Sequence, residues 1–436
     1  MDSIWTKTVN IPSFPSMEGD IKTDVLIIGG GMAGILCAHF LEEQGVDYVL
    51  AEGREVCSGV TKNTTAKITS QHGLIYQKIA KQRGMEMAEM YLNANEAAVK
   101  AYGELAGKID CDFERKNNYV YSLHDRKKLE REMQVLECLG FNGIFAEHTE
   151  LPFRVEGAVG FPNQAQFHPL KFVAGLTKGL HIYEHTYVKE LKPHRAVTER
   201  GEITFDKVIF ATHFPVDNKH GMYFMKLYQH RSYVIAYEHG ENLQGMYVDE
   251  AMKGMSFRNY GDLLLIGGGA HRTGKQGGSF KAIEEAARNY YGEVKEAARW
   301  ATQDCMSLDG VPYIGEYGKG MPGCYVATGF NKWGMTSSMV AAKVLTDLVQ
   351  GKENGYAKLF DPGRNMLKPQ LVVNGAEAMI NLVLPAKRRC PHMGCGLKWN
   401  KEEHSWDCPC HGSRFTESGE LIDNPATDDK KKMPQR

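Results

Sequence analysis

Residues 24–52 constrain this chain more than any other stretch. They run Asp-Val-Leu-Ile-Ile, then Gly-Gly-Gly-Met-Ala-Gly, then a helical segment and a second apolar run ending Tyr-Val-Leu-Ala-Glu. The order reads as strand, tight turn, helix, strand. Gly29, Gly31 and Gly34 fill the G-x-G-x-x-G positions. The first glycine permits the turn, the second lets backbone approach a pyrophosphate, and the third lets helix and strand pack closely. The phosphates would meet the positive N-terminus of the helix beginning near Met32, whose unpaired N–H groups point outward. Glu52 stands 18 residues past Gly34, where a carboxylate can accept hydrogen bonds from ribose hydroxyls. The pattern predicts a dinucleotide site.

A chain of 436 residues exceeds one ordinary core and suggests about three domains. Its 52 basic and 53 acidic residues give a net charge of −1, which supplies no field for a nucleic-acid partner. The first eleven residues include Asp2, Trp5 and Lys7 rather than an apolar run, so no signal peptide is expected. No uncharged apolar stretch reaches the roughly 18 residues of a membrane span. These features predict a soluble, cytoplasmic protein. Of ten cysteines, four fall together as Cys390, Cys395, Cys408 and Cys410. The other six read as small buried hydrophobes in a reducing compartment.

The loop after Glu52 begins Gly53-Arg54 and continues through Thr61, Thr65, Ala66 and Lys67. It is small and rich in hydroxyls, suited to line a phosphate or an isoalloxazine ring. Apolar spacing predicts helices over 74–105, 126–139 and 169–176, the last with Pro169 in its first turn and His168 in a structural role. Strands are expected at 119–122, 181–183, 188–191 and 207–212, the last ending in Ala211-Thr212. Further strands at 232–237, 246–248, 255–258 and 263–269 read as an antiparallel lobe. A buried strand from Cys324 then runs into the turn Gly329-Phe330-Asn331-Lys332-Trp333-Gly334-Met335-Thr336, with a helix over 337–348. That helix start offers N–H groups to the electron-rich edge of a reduced flavin.

Near the C-terminus, Cys390-Pro391-His392 and Cys408-Pro409-Cys410-His411-Gly412-Ser413 give the spacing C-x-H, fifteen residues, C-x-x-H. Two Cys and two His suit tetrahedral zinc; the additional cysteine pair favours an iron–sulfur centre. Residues 375–384 read as one amphipathic helix, and the charged run over 428–432 reads as disordered.

Residues 23–364 resemble the FAD-dependent amine and amino-acid oxidoreductases of the D-amino-acid oxidase, glycine oxidase and sarcosine oxidase type. The resemblance implies FAD held by Gly29, Gly31, Gly34, Glu52, Gly53, Arg54, Thr61, Thr65, Ala66, Lys67, Ala211, Thr212, Gly329, Gly334, Met335 and Thr336, with Val188 near the adenine. It implies Arg258 as a bidentate grip on a substrate carboxylate, with Tyr233, His271 and His72 as further pocket residues. Cys305 is not expected to bind flavin covalently.

The tail resembles a Rieske [2Fe–2S] domain. That resemblance implies Cys390 and Cys408 on one iron, His392 and His411 on the other, and a disulfide between Cys395 and Cys410. Few residues precede the first cluster loop, so the domain reads as a minimal version that borrows cover from the flavin lobes or another subunit.

The expected fold is α/β, α+β overall. A Rossmann-like FAD-binding domain comprises 1–74, 145–220 and 300–365. An antiparallel substrate lobe comprises 75–144 and 221–299, a linker helix 366–384, and a minimal Rieske domain 385–436. The implied activity is oxidation of a small amine or amino acid by hydride transfer to FAD, with electrons leaving singly through the cluster. The alternative is a flavin/iron–sulfur module relaying electrons between proteins. A redox-protein acceptor and a homo-oligomer are both compatible with the sequence.

Overall fold

A computed structural model describes residues 2–318 and 320–427. The charged run over 428–432 lies outside the described residues. Three sheets organise the chain. The first has eight strands, with a central parallel set formed by Cys324–Thr328, Glu202–Phe210, Ile21–Ile28, Tyr48–Ala51 and Ile182–Tyr183. Val25 to Ile28 are buried without alternation, as expected of a parallel strand covered on both faces. The helices Met32–Glu43 and Gly334–Val349 share one apolar core with this sheet.

The second sheet has nine strands, in the path Glu296–Ser307, Leu227–Tyr237, Leu263–Arg272, Ser256–Tyr260, Gly245–Asp249, Glu114–Ser122, Gly157–Gln166 and Lys67–Ile68. It departs from the expected antiparallel lobe in two ways. Gly245–Asp249 pairs parallel to Glu114–Ser122. Gly157–Gln166 and Glu296–Ser307 also join this sheet, although 145–220 and most of 296–307 were assigned to the nucleotide unit. Hydrogen-bond partners decide sheet membership, and those partners are remote in sequence.

The helix expected over 74–105 is two, Ile75–Arg83 and Met85–Ala106, broken at Gly84, whose φ of 91° leaves the right-handed helical region. Val188 lies outside a strand; the nearest is Glu190–Lys192. Cys138 is exposed, unlike the other five scattered cysteines.

The third sheet has four strands, Lys398–Asn400, Ser405–Asp407, Arg414–Thr416 and Leu421–Asp423. The helix leading to it, Pro369–Val383, starts six residues before the amphipathic stretch 375–384 and turns a polar face inward. Asn374 and Asn381 are buried, while Val372, Met379 and Val383 are exposed. The polar face is inward because Asn374 finds partners there: its amide donates to Met225 O, and its Oδ1 accepts from Arg272 Nη1 at 2.9 Å.

Candidate functional site

One cavity of about 1400 Å³ runs between the first two sheets and reaches the third. It exceeds the roughly 300–1,000 Å³ of a single drug-sized pocket. Gly29, Gly31, Glu52, Gly53, Arg54, Thr61, Thr65, Lys67, Val188, Ala211, Thr212, Gly329, Gly334 and Met335 line it. Sequence positions from both ends of the flavin-type segment therefore share one space. Gly29 has a φ of 109°, and a Cβ there would stand 2.7 Å from Ala211 O. A Cβ on Gly34 would stand 1.9 Å from Gly29 O, so Gly34 lies beneath the turn and serves packing. Glu52 accepts from Gly30 N at 2.7 Å and Arg54 N at 2.8 Å, which fixes its carboxylate at the cavity wall. Ala66 is buried behind the wall, and the Thr336 hydroxyl donates to Thr69 O.

The expected substrate residues separate. Tyr233 lines the cavity. Arg258 does not, which corrects its assignment as a carboxylate grip. Its guanidinium is fully buried and donates to Thr65 O at 2.6 Å, Ala66 O at 3.0 Å and its neighbour Asn259 O at 3.2 Å. Trp5, whose ring lies 5.7 Å from that guanidinium, donates to Thr64 O. Arg258 thus holds the 64–67 loop from behind, because carbonyls of that loop offered closer partners than the cavity. Burial depresses its pKa to about 9. His72 is also behind the wall, bonded to Tyr91 and Thr69 O and stacked on cavity-lining Trp333. Burial lowers its pKa to about 3, so it is neutral. His271 stacks on Tyr233 without lining the cavity.

Sequence reasoning missed Asp304, Lys332, His213 and Gln229. Asp304 and Lys332 line the cavity; burial raises the Asp304 pKa and lowers that of Lys332. Lys67 is held down to about 7, by burial first and then by the Arg258 charge. Lys67 and Lys332 share the cavity wall with Arg54 and Arg200. Lys332 sat within the flavin-type turn and was legible as its one charged member; Asp304 and Gln229 carried no motif.

In the third unit, the Cys390 and Cys408 thiols hydrogen-bond each other. The His392 and His411 rings lie 4.9 Å apart. Both Nδ1 atoms are buried without a partner, an expensive arrangement unless a ligand claims them. Two thiolates and two free imidazole nitrogens fit the mixed donor set of a Rieske cluster. His392 Nε2 donates to Asn218 Oδ1 at 2.8 Å, which leaves its Nδ1 as a lone pair facing inward. Cys395 and Cys410 form a disulfide with Cα atoms 6.7 Å apart.

The flavin units supply the missing cover. Arg272 donates to Pro409 O and Cys410 O, and the Phe224 backbone hydrogen-bonds His411. Gln303 donates to Gly412 O. A Cβ at Gly412, whose φ is 88°, would meet Gln229 Cγ at 2.2 Å. Gln229 Oε1 in turn accepts from cavity-lining His213 Nε2 at 3.0 Å.

The FAD dependent oxidoreductase family model matches residues 24–348. The chain belongs to that family. The Rieske [2Fe-2S] domain model matches residues 366–434, so this FAD-dependent oxidoreductase carries a Rieske domain. A Bacillus subtilis protein described as a Rieske 2Fe-2S iron–sulfur protein, YhfW, is 33% identical over 98% of this chain and 96% of its own. The gamma-glutamylputrescine oxidoreductase of Escherichia coli is 25% identical over 45% of this chain and 50% of its own. Glycine oxidase from Geobacillus kaustophilus shares the fold, with a TM-score of 0.68 at 19% identity over 79% of this chain and 100% of that one. The protein is thus an FAD-dependent oxidoreductase of the amine and amino-acid oxidase type, with FAD and a [2Fe–2S] cluster as cofactors. No described helix is long and apolar enough to cross a membrane.

Proposed function

We propose that the protein oxidises a small amine or amino acid at its FAD and sends the electrons out through the Rieske cluster. The observation that carries this reading is Gln229, which bonds His213 at the cavity and packs against Gly412 in the cluster loop. One side chain thus spans the layer between the two cofactor sites. When bound, FAD accepts a hydride and the cluster accepts one electron at a time. The cofactor would be held by the glycine turn, Glu52, the 61–67 loop and the start of helix Gly334–Val349. Substrate would meet the remaining wall, where Ser232, Tyr233, Ser256, Asp304 and Lys332 face inward. Lys67, its pKa depressed to about 7, is suited to take the proton from a substrate ammonium. Asp304 offers that ammonium a carboxylate. A deep cavity with these groups supports a substrate of its own over a relay between proteins.

The test is anaerobic mixing of the holoprotein with a panel of small amines and amino acids, followed by absorption and low-temperature EPR. Flavin bleaching followed by a cluster signal supports the reading, and Gln229→Ala should slow the second phase while sparing the first. Full turnover in His411→Ala, or a cluster that stays oxidised throughout, contradicts it.

A further inference from the structure

The cavity has a wall that neither half of the flavin fold provides. Glu420, Asp423, Asn424, Ala426 and Thr427, all from the iron–sulfur unit, line it together with the glycine turn and the 52–54 loop. This wall is fastened by specific bonds. The Asn424 amide donates to Thr212 O at 2.9 Å and to Phe214 O at 2.8 Å, both on the chain leaving the central parallel strand. Arg54 Nη2 donates to Ile422 O at 2.7 Å. The same segment is tied to the cluster. Ala426 N donates to Ser413 Oγ at 3.0 Å, and the Ser413 side chain also hydrogen-bonds the cluster ligand Cys390.

We infer that residues 420–427 of the Rieske unit are a clamp on the FAD site, so that FAD retention and the folded cluster loops depend on each other. Binding energies that share a structural element are reciprocal: whatever the clamp adds to FAD affinity, FAD adds to clamp closure. Asn424 is the positioning residue, since its two N–H groups reach two carbonyl acceptors, of Thr212 and Phe214, that no aliphatic side chain could satisfy. Ser413 is the joint, its hydroxyl bonded to the clamp on one side and to a cluster thiol on the other. A Rieske unit used solely to carry electrons would need contact near its histidines. It would not need a segment forming part of the flavin cavity.

The inference rests on the reading that this cavity holds FAD. The test uses the full-length holoprotein and measures FAD release after dilution from the rise in free-flavin fluorescence, with iron content followed in parallel. Asn424→Asp keeps the shape but removes both donors; Asn424→Ala removes the side chain. Loss of two hydrogen bonds should speed release by about ten- to a hundredfold, with iron content unchanged at the start. A rate within twofold of the parent overturns the clamp. Glu52→Ala is the control for the site itself: if it too leaves FAD affinity unchanged, the cavity is not the flavin site and both readings fall. An independent measurement needs no variant. Amide exchange in 420–427 should accelerate when FAD is stripped, whereas exchange in the remote helix Arg126–Cys138 should not. Equal exchange with and without FAD also overturns the inference.

Discussion

Glu403 offers the sharpest test of how the two halves are joined. It belongs to the Rieske unit yet accepts from Arg231 Nε at 3.0 Å on the nine-stranded sheet, with Arg231 Nη2 bonding its other oxygen. It also accepts from Arg414 Nη2 at 2.7 Å and from the cavity-lining Tyr233 hydroxyl at 3.2 Å. The side chains of Arg231, Arg414 and Glu403 are 3, 5 and 8% exposed. In Glu403→Ala, Arg414 keeps Asp407 and Asp423. Arg231 loses its hydrogen-bonded carboxylate and keeps only the longer-range charges of Asp304 and Asp423. A buried charge stripped of its partner costs about 3–5 kcal/mol. Because the broken bond crosses the interface, the cost falls on docking and should shift that equilibrium by about two to three and a half orders of magnitude. Amide exchange and limited proteolysis of the cluster loops and of 215–226 report docking directly. Near-parental protection at both surfaces would refute the reasoning. The pH dependence has a definite sign. Burial pushes the Glu403 carboxyl up, but the Arg231 and Arg414 guanidiniums together outweigh it and hold the pKa below its ordinary value. The docking contribution is therefore complete above the unfolded carboxylate range and is lost as pH falls through the depressed folded value.

Arg258→Met should lower FAD retention and thermal stability, since the 64–67 loop loses its donors, while changing kcat and KM little, in molecules that keep FAD, at pH well above the Lys67 pKa; a selective rise in KM for carboxylate substrates would restore the grip reading. The same variant should raise the Lys67 pKa above about 7 by removing a neighbouring charge, moving the acid limb of the pH–rate profile upward. Arg364→Ala strips bidentate contact from buried Asp309 and should cost about 3–5 kcal/mol in chemical unfolding; a loss under about 1 kcal/mol would contradict this. Gly34→Ala places a methyl 1.9 Å from Gly29 O and should abolish FAD binding or folding, read from flavin content and far-ultraviolet circular dichroism.

The local chemistry was legible from sequence. A glycine turn between two apolar strands, an acid at the end of the second and a Cys-Pro-Cys-His-Gly-Ser loop are short-range patterns, because bond geometry and metal coordination demand particular residues at fixed spacings. Most of the expected flavin residues accordingly face one cavity. What the sequence could not carry was pairing across distance. Arg258 looked like a substrate ligand from its place on a strand; only the packed structure offered it the carbonyls of Thr65 and Ala66 and the face of Trp5. The linker helix was amphipathic in sequence, yet the partners of Asn374, Met225 O and the Arg272 guanidinium, decided which face turned inward. The bond between Arg231 and Glu403 and the seat of Asn424 on Thr212 and Phe214 join residues more than 150 positions apart. Neither partner has a local signature, since an ion pair or an amide contact is specified by where two surfaces meet. The residues expected at each cofactor site could be named from the sequence; that the iron–sulfur unit lines the same cavity as the glycine turn was decided by the tertiary fold, where backbone carbonyls and buried charges had to find partners.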